Sequence, residues 1–247
     1  MKQVSLLLIA FLLGTFVNAQ DIATIAPDTI VNGSFSKKYG NVTVKGQFEN
    51  AKKTGNWMIV YSNGQIHILE QYKNDKKDGL RIQISKRGFI EQQANYKNGL
   101  LDGEKIRFTS SGKPNLKENY KNGVLHGLKT IYYSRGQKQE ESMYTNGVKD
   151  GISKWYTDKG KLIAIYEYKN GLFEGSQKYF YTNGQTKAIK LFSNNLAEGP
   201  YYEYYDDGKV KVQGQFKNDL KTGKWIEYDK DGNIVKTTRY NKKGEPK

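Results

Sequence analysis

Apolar and polar positions alternate along most of this chain in short runs, and each run ends in a cluster of Asn, Asp, Ser and Gly. Alternation with a period of two places one set of side chains on one face of a β-strand. One position is apolar or aromatic at every step of 24 residues: Val60, Ile84, Phe108, Tyr132, Tyr156, Phe180, Tyr204 and Tyr228. Two residues earlier the same face carries Met58, Ile82, Ile106, Tyr202 and Ile226, with Thr130, Lys154 and Lys178 in the other repeats. The opposite face mixes Trp57, Trp155, Tyr179 and Trp225 with Arg81, Lys105 and Glu203. Two strands and two turns fit into 24 residues, and a helix of ordinary length does not.

The turns follow the same step. Asn50, Asn74, Asn98, Asn122, Asn146, Asn170, Asn194 and Asn218 are followed by Gly99, Gly123, Gly147 and Gly171, by Asp75 and Asp219, or by Asn195. Both positions tolerate positive φ, as a two-residue type I′ hairpin turn requires. Ala51 is the exception and predicts a looser first turn. The second turn reads Ser62-Asn63-Gly64, Thr182-Asn183-Gly184 and similar, which fits a type I turn closed by a left-handed Gly. A further series, Gly55, Gly79, Gly103, Gly127, Gly151, Gly175, Gly199 and Gly223, falls where a strand should begin, and reads as a place where an aromatic ring crosses bare backbone.

A fixed period of this length marks a repeat architecture. The expected fold is all-β: an elongated antiparallel meander of about eight 24-residue β-hairpin repeats. About sixteen strands at roughly 4.8 Å each would span about 75–80 Å. Open twisted sheets rarely exceed ~10 strands without curling, so the expectation is a curved single-layer ribbon with the ladder Val60 to Tyr228 as its thin inner core. The predicted divisions are a signal peptide over 1–19, a loose leader and N-terminal capping strands over 20–47, the repeat domain over 48–240, and a polar C-terminal tail over 241–247 that frays.

The signal peptide is read from a basic start (Lys2), an apolar run over 4–17, and Val17 and Ala19 as small residues before Gln20. The expected address is therefore outside the cytoplasm: periplasm, outer-membrane-associated or secreted, with no transmembrane span in the mature chain. There is no Cys, hence no disulfide and no thiolate metal site. The formal net charge is +15. Removing Lys2 with the signal peptide leaves 39 basic against 25 acidic residues, or +14. Such a surface attracts anions, and export makes nucleic acid the least expected of them.

Two rows carry candidate binding chemistry. Trp57, Trp155, Tyr179, Tyr201 and Trp225, on the face opposite the ladder, are candidate anchors for a protein partner. Lys73, Lys97, Lys121, Lys169 and Lys217 share one offset beside the Asn turn and would form a row along the sheet, suited to a polyanion or to keeping the rim soluble. Catalytic signals are lacking: His67 and His126 lie in different repeats at different offsets, and the Gly residues are turn punctuation. Asp229-Lys230-Asp231-Gly232-Asn233 coincides with a second turn and reads as a turn, not a calcium loop. Glu140-Glu141 and Asp206-Asp207 read as solvated edges of hairpins. No catalytic, cofactor or metal residue is assigned.

Tyr96-Lys97-Asn98-Gly99…Gly103, Tyr120-Lys121-Asn122-Gly123…Gly127 and Tyr168-Lys169-Asn170-Gly171…Gly175 resemble the MORN repeat, closest to the bacterial variant in the antitoxin-like YwqK family. The resemblance spans roughly 48–240. It implies a β-hairpin ribbon and a role in protein–protein or membrane association, and brings no catalytic residues. The expected function is thus a non-enzymatic, exported protein-binding or scaffold module, with an antitoxin- or immunity-like role as one form of it. The alternative is a basic envelope protein that binds anionic glycan or lipid headgroups.

Overall fold

The computed structural model describes Ile22, Ile25 and residues 30–247. The stretch read as a signal peptide lies outside the described residues. Nineteen strands follow in chain order: β1 (Gly33–Tyr39), β2 (Val42–Glu49), β3 (Lys52–Tyr61), β4 (Ile66–Lys73), β5 (Lys76–Ile84), β6 (Ile90–Lys97), β7 (Leu100–Phe108), β8 (Pro114–Lys121), β9 (Val124–Leu125), β10 (Gly127–Tyr132), β11 (Lys138–Thr145), β12 (Val148–Tyr156), β13 (Leu162–Lys169), β14 (Leu172–Phe180), β15 (Thr186–Ser193), β16 (Leu196–Tyr204), β17 (Val210–Lys217), β18 (Leu220–Tyr228) and β19 (Ile234–Tyr240). Every pairing is antiparallel and, apart from that of β8 with β10, joins chain neighbours. β9 and β10 lie along the same side of β8 as two halves of a strand broken at His126. Even there the His126 amide donates to the Asn119 carbonyl at 2.8 Å.

The Asn turns adopt the predicted geometry, with Asn98 at φ 51° and Gly99 at φ 88°. Ala51 corrects the expectation of a looser turn: Asn50 and Ala51 sit at φ 50° and 57°, so alanine is held in the left-handed region by its surroundings. The turns are also linked to one another. Gly99 donates to the Lys77 carbonyl at 2.8 Å, and Gly123, Gly147 and Gly171 repeat the bond one period later each. The other rim is stitched by side chains: Lys113, Lys161 and Lys209 donate to the carbonyls of Arg135, Thr182 and Lys230 at 3.0, 2.6 and 2.7 Å.

These two lines of bonds tie successive repeats together at both rims. The ribbon is one open, uncurled sheet with β1 and β19 at its ends, and the expected curl is not found.

The glycine series beginning at Gly55 has another role than the one predicted. Gly79, for example, takes φ 114°. There the strand bulges, so that Glu70 faces Arg81 while Tyr72 faces Lys77. What crosses these glycines is an extended side chain eight residues earlier, such as Gln71, Asn95, Asn119 or Glu167, not a ring. Rings do lie on bare backbone at Gly46 under Trp57 and at Gly214 under Trp225, where an added Cβ would collide with the indole.

The buried core also departs from expectation. The ladder residues from Val60 to Tyr228 are each only half-buried. The apolar cluster forms on the opposite face at the N-terminal end, from Phe35, Val44, Phe48, Trp57, Ile59, Ile68 and Tyr72. Ile22 and Ile25, expected in a loose leader, are 2% and 8% exposed within this cluster. The tail does not fray either: Lys247 donates to the Arg239 carbonyl at 2.7 Å, and Pro246 bridges Tyr240.

Candidate partner-binding groove

The tryptophan face carries the same ring arrangement twice. Trp57 and Trp225 stand seven periods apart, as do Gly46 and Gly214, Phe48 and Phe216, Lys53 and Lys221, and Tyr72 and Tyr240. Bare glycine lets each indole lie flat on the neighbouring strand. Each indole N–H then donates to a backbone carbonyl at 3.2 Å, Gln47 for Trp57 and Gln215 for Trp225. Phe48 meets Trp57 edge-on at 5.1 Å between centroids, and Phe216 meets Trp225 in the same way at 5.1 Å. Tyr72 and Tyr240 close the third side at 6.2 and 6.1 Å. Phe35 fills the fourth at 5.5 Å from Trp57, where Tyr201 stands 5.5 Å from Trp225. Phe35 reaches this place two residues out of register because it pairs with Gly46, eleven residues on, where Tyr201 pairs with Gly214, thirteen residues on.

The boxes differ in their cover. At the N-terminal end Ile22 and Ile25 pack on the rings, and Trp57 is fully buried. At the C-terminal end Tyr201, Phe216 and Tyr240 are half-buried. They wall a groove of about 650 Å³ together with Tyr179, Val212, Trp225 and Thr238. Lys221 stands 4.3 Å from the Trp225 ring and 5.5 Å from the Tyr240 ring, and Lys190 stands 4.4 Å from Phe216. Cations over aromatic faces add attraction beyond apolar contact. Burial, followed by the charge of Glu203, pushes the Tyr201 hydroxyl up to about 12.

Of the five aromatics predicted as anchors, the structure brings Tyr179, Tyr201 and Trp225 together in this groove. Trp57 is corrected: it is a core residue at 0% exposure, because Ile22, Ile25 and three rings cover it. Trp225 is itself only 5% exposed, so it forms the floor while Tyr179 and Tyr201 form the walls. Trp155 lies outside the groove, half-buried beside Tyr166 under Lys149, and its buried Nε1 has no hydrogen-bond partner.

Between the boxes the same face carries buried carboxylates first and then the rings of Trp155, Tyr166 and Phe173. Glu70, 1% exposed, accepts from Tyr72, Lys77 and Arg81 at 2.8, 2.9 and 2.8 Å. Glu118 lies 3.7 Å from Lys105 and 3.4 Å from Lys129. Glu140 accepts from Lys149 at 2.7 Å and from Ser142 at 2.6 Å. Glu140 was expected on a solvated edge. It is buried, because it points into the tryptophan face from within β11, while Glu141 points the other way to Lys138 and Tyr156. A buried charge needs partners of this kind to remain charged, so these carboxylates are consumed by structure.

The five lysines of the predicted row are exposed at the strand ends before the Asn turns, in β4, β6, β8, β13 and β17. Lys97 and Lys121 share a shallow cleft with Leu100 and His126. The row is interrupted by Thr145 and Ser193. Across the turns stands a second row: Leu100, Val124, Val148, Leu172, Leu196 and Leu220, all exposed, Leu100 at 51%. Its offset of 24 was visible in the sequence and went unread, because an aliphatic residue next to a turn looks like ordinary strand. His67 bonds Tyr61 at 2.7 Å and the Ile84 carbonyl at 2.9 Å, far along the sheet from His126. The Asp229 carboxylate accepts from the backbone of Asp231 and Asn233 and from the Asn233 side chain, which hold its carboxyl below the usual range. Among the described residues no cluster of potential metal ligands occurs, and no helix is long and apolar enough to cross a membrane.

A family model described as the MORN repeat variant matches seven segments: residues 53–74, 101–122, 125–146, 149–170, 173–194, 197–218 and 221–242. The segment between the first two keeps the same two-strand unit, β5 and β6, in the structure. MORN repeats commonly serve as protein- or lipid-binding modules. No curated protein matches the chain.

Proposed function

The chain belongs to the MORN repeat variant family, and from that premise we propose that it is a non-enzymatic, exported binding module whose C-terminal aromatic groove receives a partner protein. One observation carries the reading. The ring box that the chain's own Ile22 and Ile25 cover at one end is present at the other end without such a cover among the described residues. Rigid aromatic walls around a desolvated floor are the usual anchors of protein interfaces. An antitoxin- or immunity-like role is one form of this function, with the groove occupying an exported toxin.

The test is affinity capture from an envelope fraction with the protein and its Tyr201→Asp variant, at low and high salt. The expected result is one stoichiometric protein that survives high salt on the parent and is lost on the variant. Retention on the variant would remove the groove from the function.

A second reading is favoured by the paired rows at the Asn rim. Aliphatic side chains alternating with lysines suit the surface of an anionic membrane, where each nearby cation adds about 1 kcal/mol. Binding to vesicles with anionic headgroups that disappears in high salt, and with Lys73, Lys97, Lys121, Lys169 and Lys217 all replaced by Gln, would support that surface instead.

A further inference from the structure

The two aromatic boxes are superposable in their contacts, and one of them holds a ligand. Its ligand is the chain itself: Ile22 and Ile25, three positions apart, are buried in one cluster with Phe35, Phe48 and Trp57. We infer that the C-terminal groove takes a segment of a partner protein folded into one tight turn, closed here by the Ile25 amide donating to the Ile22 carbonyl at 3.2 Å, and bearing two aliphatic side chains three positions apart, flanked by acidic residues. The inference rests on the groove being the partner site, and it names the chemistry of what enters.

The aliphatic pair follows from the shape of the box. The rings clustered with Ile22 and Ile25 recur as Tyr201, Phe216 and Trp225 with centroid distances equal to within 0.1 Å. A side chain that fits one set therefore fits the other. The acidic flank follows from charge. Of the acids lining the groove, Glu203 is paired with Lys211 at 2.7 Å and Glu227 with Lys236 at 3.7 Å. Lys190 and Lys221 lie over the rings and make no ion pair with the described acids. The segment that contains Ile22 carries Asp21 and Asp28 and no basic residue. A second copy is the weaker occupant. Its own pair is tethered beside its own box, and a short tether supplies an effective concentration of about millimolar, against which a free groove on another molecule competes poorly.

The probe is a fluorescein-labelled peptide of residues 20–30 of this sequence, titrated with the purified protein by anisotropy. Saturable one-to-one binding is expected. A peptide carrying Ile22→Asp and Ile25→Asp should bind at least tenfold more weakly. Thr238→Arg in the protein, at a half-buried wall position, should weaken the parent peptide at least tenfold while leaving the circular dichroism unchanged. Tyr201→Asp should do the same. Absence of saturable binding, or affinity indifferent to Thr238→Arg, would overturn the inference. Concentration-dependent dimers in sedimentation that vanish with Thr238→Arg would put a second copy in the groove and overturn it as well. Affinity capture with Thr238→Arg separates the two levels. A captured partner lost on this variant, together with a peptide that does not bind, leaves the groove as the partner site and discards only the aliphatic-pair ligand.

Discussion

At the scale of single residues, the positive-φ positions decide how well each turn fits its sequence. Asn followed by Gly was legible in advance, since left-handed backbone is a local demand that Asn and Gly meet by themselves. Ala51 was misread because its conformation is imposed from outside, by an amide that donates to the Val31 carbonyl at 2.7 Å. An L-residue with a Cβ in this region costs about 1–2 kcal/mol, partly offset by the greater freedom glycine has in the unfolded chain. Ala51→Gly should therefore stabilise the protein by about 0.5–1 kcal/mol. Urea unfolding with an unchanged slope and a higher midpoint would report it; an unchanged or lower midpoint would mean that the turn holds alanine without strain. Gly46 and Gly214 were not legible as packing sites for the opposite reason. The rings that need them, Trp57 and Trp225, come from the next strand, and only the assembled sheet brings them over the backbone.

At the scale of the element, the bulge in every second strand exposes backbone groups, and side chains from the preceding strand answer them. Leu80 donates to the Gln71 amide oxygen at 2.8 Å, the Asn95 and Asn119 amides donate to the carbonyls of Glu104 and Leu128 at 3.1 and 2.7 Å, and Ser176 donates to Glu167 at 3.1 Å. Two repeats lack a polar residue at this offset, having Met143 and Leu191. They lack it in different circumstances. At the nine-residue offset that links Gln71 to Leu80 and Glu167 to Ser176, Leu191 corresponds to Pro200, which has no N–H to satisfy, whereas Met143 corresponds to Ile152, which has one. Met143→Gln is expected to add about 1 kcal/mol of stability, the net value of one hydrogen bond, while Leu191→Gln adds nothing. Equal effects from the two substitutions in urea unfolding would sink this account of the bulge. The offset of eight residues between brace and glycine is present in the sequence. It is unreadable without knowing that the strand bulges there, since simple alternation would place the brace on a different partner.

At the scale of the whole molecule, the tryptophan face is zoned, with an aromatic box at each end, the carboxylates Glu70, Glu118 and Glu140 after the first, and the rings of Trp155, Tyr166 and Phe173 before the second. The strand meander was legible throughout, because its period and turn chemistry are local. The groove was legible only in part. Tyr179, Tyr201 and Trp225 were picked out by residue type, but burial inverted the reading at Trp57, where Ile22 and Ile25 supply a cover that no periodic pattern predicts. The same zoning makes the sheet sensitive to alkali. The chain has 19 tyrosines. Burial and then neighbouring carboxylates push Tyr120 and Tyr201 up to about 12, and burial with the hydrogen bond to Glu141 does the same for Tyr156. An unfolded tyrosine ionises near pH ~10. Between that value and about 12 the folded chain keeps protons that the unfolded chain has released. Unfolding then releases protons, so stability is fully present below the unfolded value and falls as the pH rises through the window. Urea midpoints should accordingly hold level from roughly pH 8 to 9 and drop steadily above about 10. Tyr201→Phe, which leaves the ring on Trp225 and removes the ionisable group, should make that drop shallower. A midpoint that stays level through pH ~11 would mean that the hydroxyls of these rings meet water more freely than the sheet's packing implies.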